Sequence, residues 1–172
     1  MQTSRTANLL GATALALTDL ALAGVTAAAG TSPSGAAALV VLAAVPGLSV
    51  TELGRRVGLS QSATARMTDS LEQAGLVARR PGPGRWVIVQ VTDAGREAAA
   101  HLLAARASPL DGVLSALDDD EQQTLAALLG KLLARLYGDI GNNELMCRLC
   151  DRPACTAGAP CPVGQAERDH RG

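Results

Sequence analysis

The segment from Leu48 to Val91 constrains this chain more than any other. Ser49 stands three residues before Glu52. That is the spacing of a capping box, in which the hydroxyl accepts a backbone N–H and the carboxylate accepts one in return. It predicts a short helix over about 50–57, stopped by Gly58. Ser60 is a second N-cap, opening a helix over about 61–74 with divided faces. Ala63, Met67, Leu71 and Ala74 form one stripe; Gln61, Ser62, Ala65, Arg66 and Asp69 form the opposite one. Two short helices joined by a tight glycine-containing turn make a helix-turn-helix. Leu76 to Arg80 then reads as a strand, and Pro81-Gly82-Pro83-Gly84-Arg85 as a turn. Trp86 to Val91 is a second strand, dense in β-branched residues. The predicted unit is therefore a helix-turn-helix with a β-hairpin wing.

The flanks read as helices. Aromatic residues make up only 1% of the chain and there is no Phe, so the core must be Leu, Val and Ala. Ala is the best helix former and suits closely packed helices. The expected fold class is mostly α with a small β-hairpin wing. One long helix is predicted over about 6–29. A second is capped by Ser32 or Ser34 and ended by Pro46-Gly47. Thr92-Asp93 opens a further helix, which Ser108-Pro109 is expected to kink or interrupt. Asp118, Asp119, Asp120 and Glu121 sit where a helix N-terminus favours negative charge. The last helix runs to about Tyr137 with a Leu stripe at 125, 128, 129, 132, 133 and 136. Four regions result: scaffold and dimerisation helices at 1–47, the winged unit at 48–92, dimerisation helices at 93–138 and a Cys-rich tail at 139–172. Leu9 to Gly30, preceded by Arg5, faintly resembles a secretion signal. Asp19 interrupts it, and a charge at a bilayer centre costs about 3 kcal/mol on insertion scales. The expectation is a cytoplasmic protein with no membrane partner.

The chain carries a formal charge of −1, yet residues 49–91 hold six Arg against three acids and are +3, leaving −4 elsewhere. A basic island in an acidic chain is the electrostatic footprint of a face that contacts double-stranded DNA. The second helix of the unit is suited to the major groove. Ser60, Gln61, Ser62 and Thr64 lie near its N-terminus, where the dipole favours phosphate. Arg66 is placed to bind guanine bidentately or to clamp a phosphate. Arg79, Arg80 and the tip residue Arg85 are expected at the backbone or an adjacent minor groove.

The stretch from Leu48 to Val77, and Val91-Thr92-Asp93-Ala94-Gly95-Arg96 after the wing, resemble the MarR family of bacterial regulators; with the flanking helices the likeness covers roughly 6–138. The resemblance implies a homodimer built from the first helix and the last two, pseudo-palindromic operators, repression, and relief by a small-molecule effector or oxidant. Wings of that family commonly carry an Asp shortly before the tip Arg. The turn here lacks it, which leaves open how Arg85 is braced.

All four cysteines fall in the tail, at Cys147, Cys150, Cys155 and Cys161. A Cys-x-x-Cys step turns two sulfurs toward one ion, and four thiolates complete a tetrahedral site. Zinc is the first choice. An iron–sulfur cluster is the alternative, compatible with Cys161-Pro162, and a thiol–disulfide switch is a third. His170 reads as a disordered tail residue and His101 as a solvated or interface histidine. No Ser/His/Asp set, catalytic carboxylate pair or phosphate loop is apparent, so no enzyme is expected. Two alternatives stand beside a metal-braced repressor: a regulator whose tail senses metal or redox state, and a protein-interaction module that binds no DNA.

Overall fold

A helix with no polar face has to lie inside, and the second helix of this chain does. The computed structural model describes residues 4–45, 47–82, 84 and 86–172. The elements run α1 (Arg5–Ala29), α2 (Pro33–Ala44), β1 (Leu48–Ser49), α3 (Val50–Val57), α4 (Gln61–Gln73), β2 (Val77–Pro81), β3 (Val87–Val91), α5 (Asp93–Leu114), α6 (Asp119–Ile140), α7 (Asn143–Met146), α8 (Arg152–Thr156) and α9 (Pro162–Arg171). From Gly35 to Leu42 every residue of α2 is buried. Ser32 caps it, its hydroxyl accepting from the Gly35 amide at 3.2 Å. Around α2 pack α1, α3, α4, α5 and β3, and the core joins Leu39 and Leu42 to Leu53, Leu71, Val89 and Leu102. Full burial of such a side chain contributes about 1.5–3 kcal/mol, so these few residues dominate the fold's stability.

The winged unit is as expected, with one addition. Leu48 and Ser49 form a short strand, so the hairpin becomes a three-stranded antiparallel sheet in the order β1-β3-β2. Leu48 pairs with Val89, and Arg79 pairs with Val89 from the other side. Two residues are too few to show alternation, which is why the strand escaped the sequence pattern.

Two expectations about the C-terminal half are corrected. Pro109 neither kinks α5 enough to end it nor divides it. A proline at 109 leaves the Ala105 carbonyl without its helical donor, and α1 packs hard against that point. A Cβ at Gly24 would stand 2.5 Å from the Ala105 oxygen. Tertiary packing thus carries the helix through its proline. The tail beyond α6 forms three short helices, which corrects the reading of His170 as a disordered tail residue. His170 lies in α9, its ring meeting Tyr137 edge-on with centroids 6.1 Å apart. Val163, also in α9, is buried.

Two long apolar faces are left bare. Leu9, Leu10, Leu15 and Leu20 of α1 are exposed, as are Leu128, Leu129, Leu132, Leu133 and Leu136 of α6. Residues 5–25 are long and apolar enough to cross a membrane by length and composition, but α1 packs lengthwise on α5.

Candidate nucleic-acid interface

The geometry of the winged unit begins with how α3 meets α4. A Cβ at Gly54 would lie 2.5 Å from Thr64 Oγ1, so glycine is what lets the two helices cross this closely. Gly58, at φ 74°, makes the turn between them. Ser49 caps α3 by accepting from the Glu52 amide at 3.1 Å. The expected reciprocal half of that box does not form: the Glu52 carboxylate accepts from Arg55 Nε at 2.9 Å and Arg56 Nε at 2.8 Å instead. A guanidinium is a stronger partner for a carboxylate than a neutral amide. The Arg55 hydrogen bond, opposed by burial, holds the Glu52 carboxyl down at about 2. The two-way box appears at α6 instead, between Asp118 and Glu121.

On α4 the expected groove face is present with one correction. Ser60 accepts from the Ala63 amide at 3.3 Å, and Ser60, Gln61, Ser62 and Arg66 are all exposed. Ser62 and Arg66, four apart, share one helix face. Thr64 does not join them. It is 0% exposed, and its hydroxyl donates to the Ser60 carbonyl at 2.8 Å. Thr68 repeats the pattern on the Thr64 carbonyl. Small hydroxyl side chains that satisfy themselves on their own helix behave as core residues, and hydropathy alone does not show this. The stripe facing inward is therefore Thr64, Met67, Thr68 and Leu71, and Ala74 is exposed.

The arginines fall into two groups. Arg55 and Arg56 pair with Glu52 and also with Glu144 of α7. Arg79 is tied to α4: its amide donates to Glu72 Oε1 at 3.0 Å, its guanidinium to Asp69 at 2.6 Å and to Glu72. This ties the base of the wing to the groove helix. Arg66 and Arg80 are exposed and carry no ion pair among the described residues. Arg85 lies outside the described residues. Trp86, not expected at the site, is 72% exposed beside it. The sequence signal was there, in a single Trp in a chain nearly without aromatics.

The cysteines are brought together. All four line one cleft of about 320 Å³ with Asn143, Glu167 and Arg168. Burial pushes the Cys147 thiol up to about 11 and the Cys150 thiol to about 12. Among the described residues, no group of three or more His, Cys, Asp or Glu side chains is already set as a metal cage.

Residues 29–85 match the model of the MarR family. An uncharacterised helix-turn-helix transcriptional regulator of Bacillus subtilis, YwhA, is 30% identical over 86 residues, spanning 49% of this chain and 62% of that protein. Among solved structures, a MarR family protein from Bacillus stearothermophilus superposes with a TM-score of 0.70 at 25% identity, covering 80% of this chain and 99% of that one. The Mycobacterium tuberculosis MarR family protein Rv2887, in a complex with DNA, superposes with a TM-score of 0.58 at 28% identity, covering 72% and 96%.

Proposed function

We propose that the chain is a winged helix-turn-helix regulator of the MarR family, whose model its residues 29–85 match, and that it is a cytoplasmic homodimer that binds a pseudo-palindromic operator and represses transcription. The observation that carries DNA binding is the exposed α4 face of Ser60, Gln61, Ser62 and Arg66, with Arg66 unclaimed by any carboxylate among the described residues. Bases are read by such a helix in the major groove. Arg80 and Trp86 extend the contact to the phosphates flanking it. Burial of the leucines of α1 and α6 against a second copy supplies the dimer, since contiguous apolar surface of that extent is uncommon on a monomer. A two-fold protein calls for a two-fold operator. An open cleft lined by Gly30, Thr31, Ser32, Met67 and Ser70 abuts α4 and offers an effector a foothold.

Selection of duplexes from a random pool, followed by titration in rising salt, tests this reading. Recovery of a palindromic consensus, with affinity falling steeply as salt rises, is the expected result. Absence of duplex binding at every salt concentration, with the protein dimeric and folded, overturns it.

A second assignment concerns the tail. Cys147, Cys150, Cys155 and Cys161 hold a thiolate-bound metal, zinc in the first instance and an iron–sulfur cluster as the alternative. The lining of one cleft by all four thiols favours it. Elemental analysis and the visible spectrum of anaerobically purified protein separate the two: colourless protein with about one zinc per chain, or brown protein absorbing in the violet.

A further inference from the structure

Two helices carry bare leucine faces, and they are tied to the winged unit in different ways. α1 packs lengthwise on α5. α6 leaves α5 through a short turn at 115–118, which Gln122 closes by donating from Nε2 to the Leu114 and Leu117 carbonyls at 3.2 and 3.1 Å. Beyond that turn, among the described residues, α6 packs on α9 and α7 and at most marginally on α1 to α5 or the sheet. The tail is therefore what joins α6 to the rest of the chain.

Both ends of this link are built. At one end Val163 of α9 is buried, and the Tyr137 ring of α6 meets the His170 ring of α9. Asn143 of α7 donates to the Glu167 carboxylate, which ties α7 to α9. At the other end α7 is seated on the helix-turn-helix. The Glu144 carboxylate bridges both arginines of α3, reaching Arg56 Nη2 at 2.8 Å and also engaging Arg55. Arg56 and Glu144 are each only 15% exposed, and a pair so shielded is screened by salt much less than a surface pair. Asn142 Nδ2 donates to the Arg55 carbonyl at 3.2 Å. Leu145 sits over the turn itself, where a Cβ at Gly58 would stand 2.8 Å from Leu145 Cδ1.

We infer that the tail is a strut between α6 and the helix-turn-helix, with Glu144 and Leu145 as its positioning residues, and that it sets the half-site spacing the dimer accepts. The spacing rests on the dimer and the operator of the reading above; the strut itself does not. Half-sites of a two-fold operator lie about 34–36 Å apart, one turn of the duplex. One added base pair moves a half-site by about 3.4 Å and turns it by roughly 34°. In a dimer joined through α1 and α6, a stiff link from α6 to α3 opposes that displacement. A link hinged only at 115–118 follows it.

Strut and spacing are measured separately on the full chain, in Glu144→Gln and in Glu144→Gln/Leu145→Ala. Both variants release α7 from α3 and leave Val163, Tyr137 and His170 in place. Hydrogen exchange at residues 53–60 reads the strut without DNA. Those amides exchange faster in the variants, most in the double one, while α2 keeps its wild-type protection. Spacing is read with the selected half-sites set one base pair closer or farther apart. The wild type prefers the selected spacing, and in the double variant that preference shrinks by roughly 5-fold or more, the low end of ordinary coupling between sites. A merely loosened fold lowers affinity at every spacing alike and leaves the ratio unchanged. Unchanged exchange at 53–60 in the double variant overturns the strut. Faster exchange with an unaltered spacing preference overturns its consequence for the operator. Absent duplex binding by the dimeric wild type removes the DNA reading and the spacing with it, and exchange still decides the strut. Should the double variant also lose the protection of α2, Glu144→Gln alone decides by the same two readings.

Discussion

On α3, Arg55 and Arg56 are held by Glu52 and, across 88 or more residues of sequence, by Glu144; on α4, Arg66 projects with no carboxylate partner among the described residues. By sequence α3, with two arginines and Glu52, is the more basic helix, and α4 has one arginine beside Asp69 and Glu72. Their arginines have opposite uses. A guanidinium that already shares its donors with two carboxylates contributes to architecture, and its charge is locally cancelled. One that faces water alone keeps its charge and donors for a ligand. The island of +3 thus contracts, on the described residues, to Arg66 and Arg80 as its available cations.

Substitutions along this divide break the comparison or sharpen it. The largest effect is expected for Arg66→Ala. Operator affinity falls by about 1–3 kcal/mol with relaxed specificity at one position, while the melting temperature is unchanged. Equal affinity for the selected duplex would remove Arg66 from the interface. Arg80→Ala follows, weakening binding to all sequences alike and lowering the slope of log affinity against log salt by about 1. Arg79→Ala is expected to act on the opposite ledger. Exposed pairs contribute about 0–1 kcal/mol, so denaturant unfolding shows a small loss of stability. The lone Trp86 reports a looser wing through its fluorescence.

Glu52 gives a pH signature. Its folded-state pKa lies below its ordinary value of 4.5, at about 2. The stability it contributes is therefore complete above 4.5 and is lost as the pH falls from there toward 2. Thermal melts across that window fall more steeply for the wild type than for Glu52→Gln. The smallest effect is expected for Thr64→Val. The Ser60 carbonyl keeps the Thr64 amide as a donor, so stability changes by about 1 kcal/mol or less. DNA affinity does not change. A clear loss of affinity would return Thr64 to the groove face.

Local chemistry made much of this chain legible. Caps at Ser32, Ser49 and Ser60 and the stop at Gly58 are decided within a few residues, because they depend on backbone donors and on φ alone. The cysteine spacing predicts convergence of the four thiols, since short chain separations restrict where they can lie.

What sequence left undecided depends on partners distant along the chain. Glu52 has the spacing of a capping box, but two arginines reach it first. Thr64 is polar in composition and buried in fact, because its hydroxyl is satisfied on its own helix and Gly54 crosses directly above it. Pro109 has the power to break a helix, but α1 packs across the point of weakness. The contact between Glu144 and α3 has no local signature at all. Caps, turns and periodicity are properties of a short window, and those the sequence by itself determined. Which arginine is spent on the protein's own carboxylates and which is left for a ligand is a competition among charges brought together by folding, and only the tertiary structure decided it.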